Sequence, residues 1–149
     1  MSQKIMVGVV ESIALPSLKL ANIATRIDTG AKTSALHVDH IVVDDAQRIV
    51  HFEFHPDFHD IKKTIKCSAP LHDRRWIKSS NGEREQRCVI KTQATLGASL
   101  SWDIEITLTD RSSMNHLMLL GREAMEGVVI VDPEAHFLAS ERSPEPDPE

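Results

Sequence analysis

The 149-residue sequence has few aromatic residues, few cysteines and no long apolar run. It contains no Tyr, two Trp and four Phe, so a core must be built mainly from aliphatic side chains. The apolar run at residues 5–10 is too short for a signal peptide or a membrane span. The two cysteines, Cys67 and Cys88, form no CxxC pair, which favours buried thiols over a disulfide or a metal site. These absences predict a cytoplasmic protein with no membrane partner.

Charge excludes a second class of partner. The net charge of −5 argues against a nucleic-acid-binding protein. The charge is unevenly distributed, because residues 61–91 carry nine Lys or Arg and three Asp or Glu. The last ten residues carry three Pro and four acidic residues, a composition that cannot form a core. We therefore predict a folded domain over residues 1–139 and a disordered, acidic, Pro-rich tail over residues 140–149.

Period-two alternation of apolar and polar residues dominates the folded part. It is clearest over residues 48–55, 88–96 and 103–108, and each segment indicates a strand with one solvent-facing side, as in antiparallel sheets. Asn81-Gly82 predicts a hairpin with a type I′ turn between strands at residues 75–79 and 84–95. One short helix is predicted from Arg122 to Gly127. Short strands with frequent turns predict an all-β barrel or sandwich.

Two short motifs point to a chemistry. Asp28-Thr29-Gly30 follows a predicted strand at residues 23–27, although Asp and Gly also favour ordinary turns. Near the C-terminus an apolar strand, residues 118–120, ends in Gly121-Arg122 and enters the predicted helix. This order, with a hairpin between the two motifs, resembles the retroviral-type aspartic peptidases of the pepsin/retropepsin superfamily.

The sequence resembles one bacterial and archaeal family in particular. The resemblance lies in residues 26–37, 75–82, 118–122 and 131–133 together with Arg87, and it covers about residues 7–138. The family comprises retropepsin-like aspartic endopeptidases historically labelled ATP-dependent zinc proteases. The resemblance implies a closed or partly open β-barrel of the acid-protease type with one short C-terminal helix.

The resemblance also implies an aspartic peptidase that needs no cofactor, with Asp28 as the catalytic carboxylate and Thr29 and Gly30 completing its motif. Such enzymes hold two carboxylates so close that they share a proton. One carboxylate activates a water and the other polarises the scissile carbonyl. A single motif per chain therefore predicts a homodimer in which each chain contributes one Asp28.

The basic hairpin suggests an anionic peptide substrate, with a merely solvated hairpin as the alternative. Arg binds carboxylates bidentately, and members of the resembled family are often encoded beside ligases that add glutamate to proteins. We therefore expect acidic, glutamate-rich substrates. The predicted substrate-binding residues are Ala31, Arg75, Lys78, Asn81, Gly82, Arg84 and Arg122. Lys32 replaces an acidic residue that pairs with the arginine of Gly-Arg in retroviral enzymes, so Arg122 must have another partner.

Two other functions stay open, a zinc-dependent protease and a non-catalytic binding module that recognises acidic tails or a glutamate ligase. The sequence has no HExxH and no phosphate-binding loop, so we predict neither metal nor nucleotide binding. His51 and His55 lie on one predicted strand, about 13 Å apart, too far for one zinc ion. Trp76 and Trp102 lie in strand patterns and are predicted to pack in the core or against a sheet rather than to bind substrate.

Overall fold

A computed structural model of the chain describes residues 3–56, 62–78, 81–110 and 115–143. These ranges contain short strands, one single-turn helix and a 3-10 turn at Pro16–Leu18. The strands are β1 (Ile5–Val7), β2 (Val10–Leu15), β3 (Leu20–Ile27), β4 (Ser34–His37), β5 (Asp39–Asp44), β6 (Ile49–Phe54), β7 (Ile65–Pro70), β8 (Asp73–Lys78), β9 (Arg84–Leu96), β10 (Leu100–Thr109), β11 (Met118–Leu120) and β12 (Val129–Val131), and the helix is α1 (Arg122–Met125).

Six of the strands close into a barrel. Their hydrogen-bonded order is β10-β4-β11-β3-β2-β9, and β9 pairs with β10 to complete the ring. The prediction of an all-β barrel with one short C-terminal helix is therefore confirmed. Gly127, just after the helix, has φ +76°, the left-handed conformation expected of a helix-ending glycine.

The pairing is less uniform than the alternation predicted. β9 pairs antiparallel with β8 and β10, and β6 pairs antiparallel with β5 and β7. However, β3 with β11, β4 with β10 and β1 with β12 are parallel. Closing the barrel pairs strands that are distant in the chain. The local alternation of residues does not show whether such strands pair parallel or antiparallel. The parallel pair β3–β11 is the one that positions the site.

The period-two pattern buries one face of each strand. Val50, Phe52 and Phe54 of β6 are buried as predicted, and so are the alternating apolar residues of β9 and β10. Burying an aliphatic side chain completely contributes about 1.5–3 kcal/mol. The largest fully buried side chains are Phe52, Phe54, Ile13, Leu15, Leu20, Leu36, Ile90, Leu96, Ile106, Leu108, Met118 and Leu120.

The β8–β9 hairpin extends beyond the barrel. Its last register pair among the described residues is Lys78 with Arg84, which confirms the predicted hairpin. Residues 79 and 80, which precede the predicted Asn81-Gly82 turn, lie outside the described residues, so its turn type stays a prediction. Gly82 adopts φ +87°, and the Asn81 side-chain oxygen accepts a hydrogen bond from the Glu83 backbone N–H. Such an Asx turn lets a longer loop reverse direction.

The C-terminal segment lies against the start of β2. The Ser140 hydroxyl donates to Glu11, and Ser143 is buried, so packed residues continue beyond residue 139. The rest of the predicted tail, residues 144–149, lies outside the described residues.

Cys67 and Cys88 are free thiols, as predicted. Burial raises the pKa of both. No helix among the described residues is long and apolar enough to cross a membrane.

Candidate active site

The two sequence motifs meet where β3 and β11 end. Leu120 of β11 lies opposite Ile27 of β3 in a parallel register. Asp28 follows directly, and its backbone N–H donates to the Leu120 carbonyl at 2.9 Å. Segments that are more than 90 residues apart in sequence thus form one edge of the barrel, with Asp28 in the loop that leaves it.

The Asp28 carboxylate is held on one side only. Its Oδ1 accepts a 2.9 Å hydrogen bond from the Gly30 backbone N–H. A Cβ atom on Gly30 would lie 3.2 Å from the same oxygen, a tight contact, so glycine suits this approach. Oδ2 has no hydrogen-bond partner among the described residues, and the side chain is partly exposed. One carboxylate oxygen is therefore fixed by the loop and the other is left without a partner among the described residues.

Arg122 and Gly121 hold this loop in place. Arg122 Nη1 donates to the Thr29 carbonyl at 3.0 Å, and its backbone N–H donates to the Ala31 carbonyl at 2.7 Å. The loop carbonyls therefore replace the acidic partner that Lys32 does not provide. Any side chain at Gly121 would collide with Thr33, since a Cβ atom would lie 2.6 Å from its carbonyl oxygen.

A groove of about 820 Å³ lies between this loop and β8. The predicted residues Ala31, Arg75 and Lys78 line it. Asn81, Gly82 and Arg84 are not part of its lining; they lie in and beside the loop of the hairpin. Among the described residues, the lining consists of Gly30, Ala31, Lys32, Thr33, Ala35, Arg75, Trp76, Ile77, Lys78, Arg87, Glu105, Thr109, Leu119 and Glu123.

Much of the basic charge near the groove is paired within the chain. Arg75 contacts Asp73 at 2.8 Å and Glu105 at 2.5 Å. The hydrogen bond to Asp73, followed by that to Glu105, raises the pKa of Arg75, and the Arg75 bond lowers the pKa of Asp73. Arg87 Nε donates to Glu85 at 2.6 Å. These two arginines are therefore less available to a substrate than the sequence suggested.

Comparison with known proteins decides the family. Residues 6–142 match the family described as RimB-like, retropepsin-like aspartic endopeptidase RimB. The chain belongs to the RimB-like family. This membership confirms the resemblance drawn from the two motifs.

Curated relatives add a second observation. A protein of Shewanella pealeana is 42% identical over 141 residues, which cover 93% of this chain and 31% of the relative. One of Parasynechococcus marenigrum is 46% identical over 136 residues, which cover 90% and 29%. Each is named "Probable alpha-L-glutamate ligase". The RimB-like chain therefore spans about a third of the length of the curated relatives it matches.

A solved structure is also similar. The crystal structure of a Legionella pneumophila protein of unknown function has a TM-score of 0.73 and 23% sequence identity. The match covers 91% of the RimB-like chain and 98% of the Legionella chain. At this identity the likeness shows the fold alone.

The two tryptophans of this RimB-like protein differ in role. Trp102 packs against the core and donates from Nε1 to the Ala124 carbonyl, as predicted. Trp76 is 60% exposed, lines the groove and has Arg84 5.5 Å above its ring, so it is not a core residue. It lies on β8, which is at the edge of its sheet.

Sequence reasoning missed three charged residues that line the groove. Glu105 and Glu123 lie on β10 and α1, and Lys32 follows the Asp28 motif closely. Only Lys32 had a signal in the sequence, its position four residues after Asp28.

One group among the described residues has the geometry to hold a metal ion. Ligand atoms of Asp39, His40 and Glu53 all lie within 4.8 Å of one another. Internal pairing explains this group as well, because His40 Nδ1 lies 3.0 Å from Asp39 Oδ1, and His55 Nε2 lies 2.9 Å from Asp39 Oδ2. Two imidazoles therefore face two carboxylates. His51 bonds separately to Ser68.

Proposed function

We propose that this RimB-like protein is a homodimeric aspartic peptidase that hydrolyses acidic, glutamate-rich polypeptides. The supporting observation is the Asp28 loop, in which Gly30 fixes one carboxylate oxygen, the other has no hydrogen-bond partner among the described residues, and the neighbouring residues Gly30 and Ala31 line a groove. Family membership agrees with this chemistry. Because one chain supplies a single such carboxylate, the proposal requires a second chain.

The reaction follows from two Asp28 carboxylates that share one proton. The ionised carboxylate accepts a proton from a water while the water oxygen attacks the scissile carbonyl carbon. The protonated carboxyl donates its proton to the carbonyl oxygen, which gives a tetrahedral diol. The diol then collapses, the C–N bond breaks, and a proton passes to the leaving amine. Arg122 fixes the loop through Thr29 and so maintains the position of the carboxylate.

Two observations support an acidic substrate. Curated relatives that contain a matching segment are named as alpha-L-glutamate ligases, so a glutamate-rich chain is the polypeptide that such a domain would meet. The groove wall also contains Lys32, Lys78 and two arginines. Lysine and arginine attract carboxylates electrostatically and increase the rate of encounter with an anionic peptide.

The test is cleavage of a glutamate-rich peptide and of a neutral peptide of equal length, followed by mass spectrometry across pH. We expect cleavage of the acidic peptide to be lost in Asp28→Asn, which preserves the shape but cannot share the proton. Removing a catalytic group of this kind lowers kcat by about 10³-fold or more. Asp103→Asn, an exposed carboxylate on β10, is the matched control and should cleave normally.

The pH profile is part of the same test. A carboxylate pair that shares one proton is inactive when both groups are ionised or both are protonated, so the profile should be bell-shaped. Cleavage by Asp28→Asn at the wild-type rate would exclude Asp28 as the catalyst.

One observation favours a second candidate, a non-catalytic binding module. The matching segment is about a third of proteins named as glutamate ligases, so it could act in them by holding the polypeptide that receives glutamate. Binding of the glutamate-rich peptide without cleavage by the wild-type protein at any pH would support this alternative.

A further inference from the structure

Four cations among the described residues line the groove, and they divide into two kinds. Arg75 and Arg87 are paired with carboxylates of the same hairpin or of β10. Lys32 and Lys78 have no ion pair or hydrogen bond from their ammonium groups to any described residue, and both are exposed. An arginine that is already paired with a carboxylate attracts an anionic ligand less strongly. The two lysines are therefore the cations available to a ligand.

These lysines come from opposite walls of the groove. Lys32 lies in the Asp28 loop, and Lys78 ends β8. The backbone beneath Lys32 is fixed, because its carbonyl accepts from the Glu123 N–H at 3.1 Å and the Ala31 carbonyl accepts from Arg122. The backbone of Lys32 is therefore held in place, while its ammonium group keeps its positive charge unpaired.

We propose that Lys32 is a specificity-determining residue and that Lys32 and Lys78 together bind carboxylate side chains of a peptide in the groove. This inference rests on the proposed function for its substrate, but it concerns binding and does not require turnover. Side chains of an extended peptide point alternately to opposite sides, so adjacent acidic residues would face both walls.

The experiment measures peptide affinity by fluorescence anisotropy in an Asp28→Asn background, which removes cleavage from the readout. The probes are labelled hexaglutamate and hexaglutamine. Lys32→Gln should weaken hexaglutamate binding about tenfold and leave hexaglutamine binding unchanged. Lys32→Arg should retain the affinity. Lys66→Gln, an exposed lysine on β7 outside the groove, is the matched control and should bind like the parent.

A charge swap gives a readout that a purely structural role would not produce. The double variant Lys32→Glu, Lys78→Glu should bind hexalysine better than the parent does and should lose hexaglutamate. Equal weakening of both neutral and acidic peptides by Lys32→Gln, or no weakening of either, would overturn the proposal. The proposal would also be overturned if the parent protein bound hexaglutamate no better than hexaglutamine.

The outcome is separable from that of the proposed function. Lysine-dependent binding of hexaglutamate by a wild-type protein that never cleaves it supports the lysine site and rejects the peptidase. Cleavage of acidic peptides that is insensitive to Lys32→Gln supports the peptidase and rejects the lysine site.

Discussion

Glu11 is a fully buried carboxylate that the sequence did not single out. Its Oε2 accepts hydrogen bonds from the backbone N–H groups of Gly8 at 2.7 Å and Leu138 at 2.8 Å. Its Oε1 accepts from the Ser140 hydroxyl at 2.6 Å. Residues nearly 130 positions apart are therefore joined through one side chain. Glu11 connects the C-terminal segment to the barrel.

We predict that Glu11→Gln destabilises the fold. The amide has one acceptor oxygen instead of two, so its NH₂ group must face donors that now lack a partner. A buried donor without a partner costs about 1–3 kcal/mol. The free energy of unfolding in urea measures this loss, and faster hydrogen exchange at the Leu138 and Ala139 amides should accompany it.

The matched control for this prediction is Glu134→Gln, an exposed glutamate in the same C-terminal segment. It should change stability by less than about 0.5 kcal/mol. Equal stability of the Glu11 and Glu134 variants would show that the buried carboxylate does not hold the segment.

At the same scale, glycine and aspartate were easier to interpret from sequence than lysine. The Asp28 and Gly121 motifs were predicted because their order and strand context resemble a known family, and Gly121 proves to have no room for a side chain. Lys32 and Glu11 have residue types that occur throughout the surface. Their roles depend on which atoms surround them, and that is set by tertiary contacts.

The three-stranded sheet β5-β6-β7 contains a charged cluster of its own. The β5–β6 register shifts between Asp39 and Val42, and His40 there adopts φ +51°. Neighbours in a regular strand point to opposite faces, but the bulge lets Asp39 and His40 face the same carboxylate, Glu53. His55, just past β6, completes the cluster through Asp39.

The pKa shifts of this cluster define a pH window. Burial is the largest single cause and acts to lower the pKa of His55, but the hydrogen bonds with Asp39 and the Lys63 carbonyl, together with the charges of Asp39 and Glu53, raise it. Burial acts to raise the pKa of Asp39, but hydrogen bonds with His55 and His40 lower it. The raised pKa of His55 stabilises the folded state below about pH 6.5, and this stabilisation is lost as the pH rises. The lowered pKa of Asp39 stabilises the folded state above about pH 4, and this stabilisation is lost as the pH falls.

We therefore predict that His55→Gln costs most stability near pH 5.5, where both charges are present. The expected loss is about 1 kcal/mol, since the pair is partly exposed, and it should shrink at pH 9. Urea unfolding at the two pH values measures it. His51→Gln is the control, because His51 bonds to the Ser68 hydroxyl and its replacement removes no carboxylate pair. A cost for His55→Gln that is equal at both pH values would contradict the assigned charge pair.

Single strands could be predicted well, while the partners of their side chains could not. The alternation at residues 48–55 gave β6 with its buried face. Asn81-Gly82 predicted the hairpin and its basic residues suggested an anionic substrate, but neither showed that Arg75 reaches across to Glu105 on β10. Cross-strand charge pairs depend on register and on barrel closure, which join residues that are distant in sequence. This is why the predicted set of anion-binding residues moves from arginines toward Lys32 and Lys78.

At the scale of the whole molecule, the barrel brings two distant motifs to one edge and supplies one carboxylate. The parallel pairing of β3 with β11 joins Asp28 to the Gly121-Arg122 segment within one chain. No second Asp-Thr-Gly or Asp-Ser-Gly motif occurs in the sequence. The proposed chemistry is therefore incomplete in a monomer, and the second carboxylate must come from another copy.

The final prediction concerns this dependence on two chains. The specific activity of a dimeric peptidase should fall as the protein is diluted below its dimerisation constant, whereas that of a monomeric catalyst is constant. Mixing wild type with an equal amount of Asp28→Asn should lower the activity per wild-type chain to about half, because exchange places many wild-type chains in mixed dimers. An equal amount of Asp103→Asn should cause no such loss. Activity that is independent of dilution, together with no effect of the Asp28→Asn chain after time for exchange, would show that one chain hydrolyses the substrate alone.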